Sequence, residues 1–453
     1  MDENKENPSS DDMIDIQIEE SLVKESLMVI DSANFKKDMM VLLGFLAIFA
    51  ISFAYGLLGP PAKVAKDEMF NISTPIFNRT YVGISTLNRF ISFSVYLKTP
   101  NSKQCKKMSI NMKLDCYKEN RIVHTFNGNF RKNPVCPEKY MYNYKFFEEK
   151  IIDFDKVEIN VGINGLSDIY KNGAILFEYG NEDYTLFQIY IRIVFSLIEF
   201  IFLILLYLKL RNLPVKLWHL EQKITVPFLF LSFLFSNPLY PIQAFYPSNL
   251  YIVFETIMNS LFKTYFKFFV LVLFDSLRYK NRKTNIMFYI PKVLFLLIYF
   301  FVNIIHGIYD IVLLSSNSTS DISGKGFHEV IGNLEWALFI IYIIWALIIF
   351  IISFRNVDIT EKNKFYIYAF INGITSLILF AVNNYVFLKN SNMNVDDNTM
   401  SFILSFIVQN VYVLLNAYFH WPFDTLQDTY NNDDDNKPTT VEPNEFFADE
   451  KNN

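Results

Sequence analysis

The sequence is poor in the residues from which soluble chemistry is usually built. Its 453 residues include three cysteines, five histidines and 14 glycines. No P-loop, Gly-rich nucleotide loop or nucleophile elbow occurs. His306 and Asp310 stand one helical turn apart, with His328 further on. A metal hydrolase needs more ligands and a base, so the plainer reading is an interfacial histidine and a loop-end aspartate. No repeat of fixed period is evident. The net charge of −5 sits mainly in the two tails and implies no nucleic-acid partner. Nothing in these patterns points to a catalytic residue, a cofactor or a metal.

Apolar residues are abundant: 52% of the chain is hydrophobic and 17% aromatic, which places it in a membrane. Residues 1–38 are acidic and polar and are expected to form a disordered cytosolic arm. Met39 to Leu58 is an uninterrupted apolar run long enough to span a bilayer, preceded by Lys36 and Lys37. It is expected to be an uncleaved signal anchor, closed by Gly59-Pro60-Pro61.

Residues 59–185 contain no such run. Met108, Ile110, Met112, Leu114 and Cys116 alternate as one face of a strand, and Phe90–Leu97 and Val157–Ile163 read alike. Thr99-Pro100-Asn101, Asn127-Gly128-Asn129 and Asn164-Gly165 serve as turn signals. An exoplasmic antiparallel β-sandwich follows. Cys105, Cys116 and Cys136 all lie here, which fits an oxidising compartment and at most one disulfide, between two of the three. Asn71 and Asn78 begin glycosylation sequons in the same stretch, and Asn317 begins a third.

Seven further spans are expected near Leu186–Leu210, Ile224–Gln243, Leu250–Phe274, Asn285–His306, Leu334–Phe354, Phe365–Leu388 and Met400–Phe419, making residues 186–421 a seven-helix bundle. Lys and Arg concentrate in the alternate loops that this topology makes cytosolic, which puts both termini in the cytosol. The second of these spans organises the rest. Trp218 and Lys223 suit its membrane entrance, Pro227 is expected in the first helical turn, and Asn237, Pro238 and Pro241 break its far end. Residues 422–453 turn acidic and are expected to be a disordered cytosolic tail.

Anchor, β domain and bundle together resemble the Wntless-like seven-transmembrane proteins with a GOLD-type luminal domain. Within them the chain is most similar to the transmembrane protein 181 family. The resemblance is carried by Gly56-Leu-Leu-Gly59-Pro60, by Trp218-His-Leu-Glu221-Gln222-Lys223, by Asn237-Pro238-Leu-Tyr240-Pro241 and by Tyr289-Ile-Pro291-Lys292. It implies residence in Golgi, endosomal or plasma membranes. It also implies escort of an exoplasmic protein or lipidated cargo, or an orphan receptor role, and it carries over no catalytic residue. A transporter is a third class, which no inverted repeat supports. Glu445-Phe446-Phe447 in the tail offers a vesicle coat two phenylalanines, although such a pair also arises by chance in a Phe-rich chain.

Charges within the spans are the remaining signal, because each costs about 2.5–3.5 kcal/mol on insertion scales unless partnered or hydrated. Arg192 and Glu199 lie seven residues apart on one helix face; Glu255, Lys263 and Lys267 lie on the fourth span of the chain. They are expected to line a polar cavity or to form an ion pair, with Glu199 and Lys263 approaching each other near mid-membrane. Asn383, Asn384, Gln409, Asn410 and Asn416 fit interhelical hydrogen bonds.

Overall fold

The computed structural model describes residues 28–31, 35–71, 76–98, 108–132, 141–164, 172–211, 213–278, 286–316, 327–389 and 399–422. A helix α1 (Phe35–Leu58) leads into eight strands: β1 (Lys63–Asn71), β2 (Ile76–Val82), β3 (Ile91–Lys98), β4 (Met108–Lys118), β5 (Arg121–Lys132), β6 (Met141–Glu149), β7 (Lys156–Asn164) and β8 (Asn172–Gly180). The bundle follows as α2 (Glu182–Leu210), α3 (Leu220–Phe235), the short α4 (Tyr240–Phe245), α5 (Asn249–Ser276), α6 (Ile286–Ser316), α7 (Phe327–Asn356), α8 (Lys362–Lys389) and α9 (Thr399–Phe419). Among the described residues, α1, α2, α3 with α4, α5, α6, α7 and α9 give seven spans long and apolar enough to cross a membrane. The 28-residue helix α8 covers the remaining expected span, Phe365–Leu388.

The strands form two four-stranded antiparallel sheets, ordered β1-β8-β3-β6 and β2-β7-β4-β5. Ile110, Met112, Leu114 and Cys116 of β4 all point inward and are buried, as their alternation requires. They share a core with Phe93 and Phe177 of the facing sheet, whose rings lie 4.8 Å apart, and Tyr81 of their own sheet reaches to 4.2 Å from Phe177. The expected turn at Asn127-Gly128-Asn129 is corrected: these residues lie inside β5, where Asn127 pairs with Lys113 and Gly128 with Met112. The reversal sits instead at Glu119 and Asn120. Both have positive φ (50° and 62°), the sense that a two-residue hairpin turn demands, and Asp155 Oδ2 accepts from the Glu119 N–H at 3.0 Å.

A 3₁₀ turn over Thr86–Asn88 joins sandwich to bundle. Asn88 Nδ2 donates to Gly180 O at 2.9 Å, Ser85 Oγ to Glu182 at 2.6 Å, and Thr185 Oγ1 to Leu87 O at 2.7 Å. Asn181 caps the N-terminus of α2, accepting from Asp183 N at 3.1 Å. Gly180 admits no side chain, since a Cβ there would lie 1.7 Å from Asn88 O. The end of α1 is held in a related way: a Cβ on Gly56 would press on Met400 at 3.1 Å, one on Gly59 on Thr399 at 2.5 Å, and the Thr399 hydroxyl donates to Pro60 O. The two glycines of the Gly56-Leu-Leu-Gly59-Pro60 stretch thus let α1 pack closely on α9.

The far end of the bundle corrects the expectation that residues 1–38 are disordered throughout. Met28, Val29 and Ile30 are buried; Val29 N donates to Trp421 O at 3.0 Å, Met28 bridges to Pro422, and Asp31 pairs with Lys364. Three consecutive apolar residues in an acidic arm have a place to be buried, and the following aspartate finds a cation.

Cys116 is a buried free thiol, and burial, with Glu149, Asp153 and Asp115 nearby, pushes its pKa well above the ordinary range. Cys105 and Cys136 lie outside the described residues. In sequence, Cys105 stands three residues before Met108 and Cys136 four after Lys132, and Met108 and Lys132 are paired across the β4–β5 ladder. With Cys116 buried as a free thiol, we propose that the expected disulfide is the one between Cys105 and Cys136. Peptide mapping without reductant should recover that linkage, and Cys116 should react with a thiol reagent only after denaturation. A linkage containing Cys116 would overturn the assignment.

Candidate functional site

The bundle interior is unusually polar along one seam. On α2, Thr185, Gln188, Arg192, Ser196 and Glu199 follow one another at spacings of three and four and are all buried. On α3 the same spacing places Gln222, Thr225, Ser232 and Ser236 on a single buried face. On α9, Asn410 and Asn416 are buried, as is His420 just beyond the helix. These faces meet, and their side chains form three layers.

Nearest the β domain, Arg192 pairs with Glu255 of α5 at 3.1 Å, and Gln243 of α4 donates to the other carboxylate oxygen at 3.1 Å. The guanidinium lies over the Tyr240 ring at 4.4 Å and near Phe402 and Phe406 at 5.5 and 5.4 Å. Tyr240 donates to Gln188, whose amide donates to Tyr184 Oη at 3.0 Å. Arg89 of the sandwich also sits 4.9 Å from the Tyr240 ring. The break between α3 and α4 makes this layer possible. Asn237 adopts φ 52° beside Pro238, and α4 restarts with Pro241 in its first turn, turning Tyr240 and Gln243 inward.

In the middle layer Glu199 is fully buried and accepts from Ser232 and, at 2.8 Å, from Ser236. Asn410 lies 3.0 Å from Ser232 Oγ and 3.4 Å from Ser236 Oγ. Each hydroxyl has one proton and cannot donate to both Glu199 and Asn410. The network closes with the Asn410 amide turned so that Nδ2 donates to the two serine oxygens. The expected approach of Glu199 to Lys263 is corrected here: the carboxylate is taken by serines one helix away, and Lys263 is exposed on α5.

At the far end, His420 is enclosed, with Thr225 Oγ1 2.6 Å from one ring nitrogen and Tyr368 Oη 2.7 Å from the other. One ring nitrogen donates and the other accepts, so the two hydroxyls fix the ring. Gln222 donates to His420 O at 3.3 Å, and its Oε1 accepts from His219 N at 3.0 Å, capping α3. Trp218 Nε1 donates to the Leu210 and Leu213 carbonyls at 3.1 and 3.0 Å, closing the end of α2. Glu221 is buried and Lys223 exposed. This capping starts α3 at Leu220, so Pro227 lies inside the helix rather than in its first turn. Lys292 of Tyr289-Ile-Pro291-Lys292 pairs with buried Asp275 at 2.6 Å.

Lys263 and Lys267 belong elsewhere, between α5, α6 and α7. Lys267 Nζ stands 4.4 Å from the Tyr299 ring and 5.9 Å from that of Tyr342. His306 Nδ1 lies 2.8 Å from Glu335. Asp310 and His328 have side chains outside the described residues, as do Asn71 and Asn317, whereas Asn78 is exposed on the edge strand β2. The five charges expected to share one cavity are thus divided among three places. The sequence reading did not single out His420, Thr225, Ser232, Ser236, Gln243 or Glu335, and it used Tyr240 only as part of a family motif; the spacing of small polar residues on α3 was the signal available.

A family model described as Wntless-like, transmembrane domain, matches residues 181–424, more than half of the chain. No curated protein matches it.

Removing one partner of the Arg192–Glu255 pair leaves the other charge buried and unpaired. Glu255→Ala should lower stability by about 3 kcal/mol, near the low end for such pairs because Glu255 is partly exposed. Arg192→Met with Glu255→Leu should recover most of the loss. Thermal midpoints in detergent micelles decide it; single and double variants falling equally would show that the pair does not hold α2 to α5.

Proposed function

Because the chain belongs to the Wntless-like transmembrane family, we propose that it is a cargo escort of the secretory route, binding an exoplasmic protein or lipidated cargo with its β domain and bundle together. The observation that carries this reading is the joint between the two. Arg89 from the sandwich and Arg192 from the bundle meet on one ring, Tyr240, and hydrogen bonds from Ser85, Asn88 and Thr185 fix the domains around it. A ligand touching the sandwich would therefore act directly on the buried Arg192–Glu255 pair.

In this reading the β domain faces the exoplasm, both termini are cytosolic, and the protein resides in Golgi, endosomal or plasma membranes. The distribution of basic loops, the sequon on the exposed edge strand β2 and the cysteine-bearing β domain support that orientation. Closer kinship with the transmembrane protein 181 family rests on the four motifs. Coat binding through Phe446 and Phe447 belongs to the same proposal; both residues lie outside the described ones. In this reading the function is binding rather than chemistry. A signalling receptor is the second reading, and it rests on helix count alone.

Deleting the protein from cells that express it and comparing secreted and surface proteins by quantitative mass spectrometry tests the proposal. A defined set of exoplasmic proteins should be retained inside, and the wild-type chain should restore their export where Glu255→Ala does not. An unchanged secreted and surface profile would remove the escort reading.

A further inference from the structure

We propose that the recess between α5, α6 and α7 binds the carboxylate head of a single-chain lipid, held by Lys263 and Lys267. This assignment does not depend on the escort reading.

The recess is built by residues repeating at helical spacing on three faces. Lys263 and Lys267 stand on α5, Tyr299 and His306 on α6, and Glu335 and Tyr342 on α7. Lys263 lies 14 residues after Asn249 and 13 before Ser276. At about 1.5 Å per residue that is roughly 20 Å from either helix end, which puts it near the middle of a hydrocarbon core about 30 Å thick. A lysine stem does not reach an interface from there. Its ammonium must meet water or an anion.

The protein supplies too few anions. Among the described residues neither Lys263 nor Lys267 forms an ion pair, and Lys263 is exposed. Glu335 lies close enough to feel both lysines, yet its carboxylate is engaged by His306 at 2.8 Å. Lys267 has only the faces of Tyr299 and Tyr342 and the Lys263 carbonyl at 3.4 Å. Two ammonium groups with one shared carboxylate leave an excess positive charge, which a single carboxylate would balance.

Access is lateral. Toward the β domain, Gly307 packs so closely on α5 that a Cβ would lie 2.5 Å from Thr256 Cγ2, and Gly332 of α7 lies against the His306 ring at 3.9 Å. These contacts draw the three helices together above Lys263. Below it, Leu296, Tyr299 and Tyr342 are buried. Phe301 and Ile305 of α6 and Ile341 of α7 present exposed apolar surface that a hydrocarbon tail can lie along.

The test uses purified full-length protein in a non-ionic detergent, with native mass spectrometry and thermal midpoints as readouts. The probes are oleate, oleyl alcohol with the same chain and no charge, and acetate with the same head and no chain. Oleate should bind and raise the midpoint, and oleyl alcohol should bind at least ten-fold more weakly. Lys263→Gln should weaken oleate at least ten-fold while the unliganded protein keeps a midpoint no lower than the wild type, because the change removes an exposed and uncompensated charge. Lys263→Gln with Lys267→Gln should abolish binding. Equal binding of oleyl alcohol, or unchanged oleate binding by Lys263→Gln, would overturn the site. Displacement of oleate by acetate at matched concentration would show a soluble-anion site and overturn the lipid assignment.

Discussion

A polar group inside a hydrocarbon layer has no water to fall back on, and this chain buries several. The Arg192–Glu255 pair is the one on which most else depends. It draws α2 and α5 together through a guanidinium that also needs the Tyr240 ring, and Tyr240 faces inward only because the second span breaks at Asn237. Gln243, delivered by the same break, donates to the second carboxylate oxygen. A straight helix through this region would carry Tyr240 and Gln243 to other faces and strand the charges. The Asn-Pro break is therefore a way of satisfying an ion pair.

The same accounting explains why the aromatic, charged entrance and the break belong to one segment. Gln222 begins the helix by capping it and ties it to His420 beyond α9, while Ser232 and Ser236 complete Glu199 about three to four turns further on. Helix α3 thereby meets α9 through hydrogen bonds at successive depths. In lipid such contacts are each worth little, about 0.6 kcal/mol on average. Their value here is register: a shift of α3 by one residue along α9 would leave a carboxylate, a histidine and an amide unpartnered at once.

What the sequence disclosed and what it withheld follow from the range of each signal. Hydropathy is summed over a whole span, so every expected span has a helix, and alternation over nine residues placed β4 and β7. Turn signals are local and were outvoted by pairing: Asn127-Gly128-Asn129 sits inside a strand because its neighbours pair with β4 over its full length. Partner choice is the least local property. Residue counting put Glu199 and Lys263 at similar depth, but depth says nothing about which way a helix is turned, and rotation gave Glu199 to α3 and Lys263 to α6 and α7. The Met28-Val29-Ile30 segment was hidden by composition, since three apolar residues do not alter the average of an acidic arm.

The two polar regions of the bundle differ in one respect that bears on how such a protein can work. Along α2, α3 and α9 side-chain hydrogen bonds tie the helices together at several depths. Between α5, α6 and α7 the charges do not balance, and the helices are held by glycine contacts and ring faces instead. A pinned half and an under-compensated half suit a carrier better than a uniformly locked bundle does. Whatever neutralises Lys263 and Lys267 would enter beside α6 and α7, which take no part in the Arg192–Glu255 pair that joins α2 to α5.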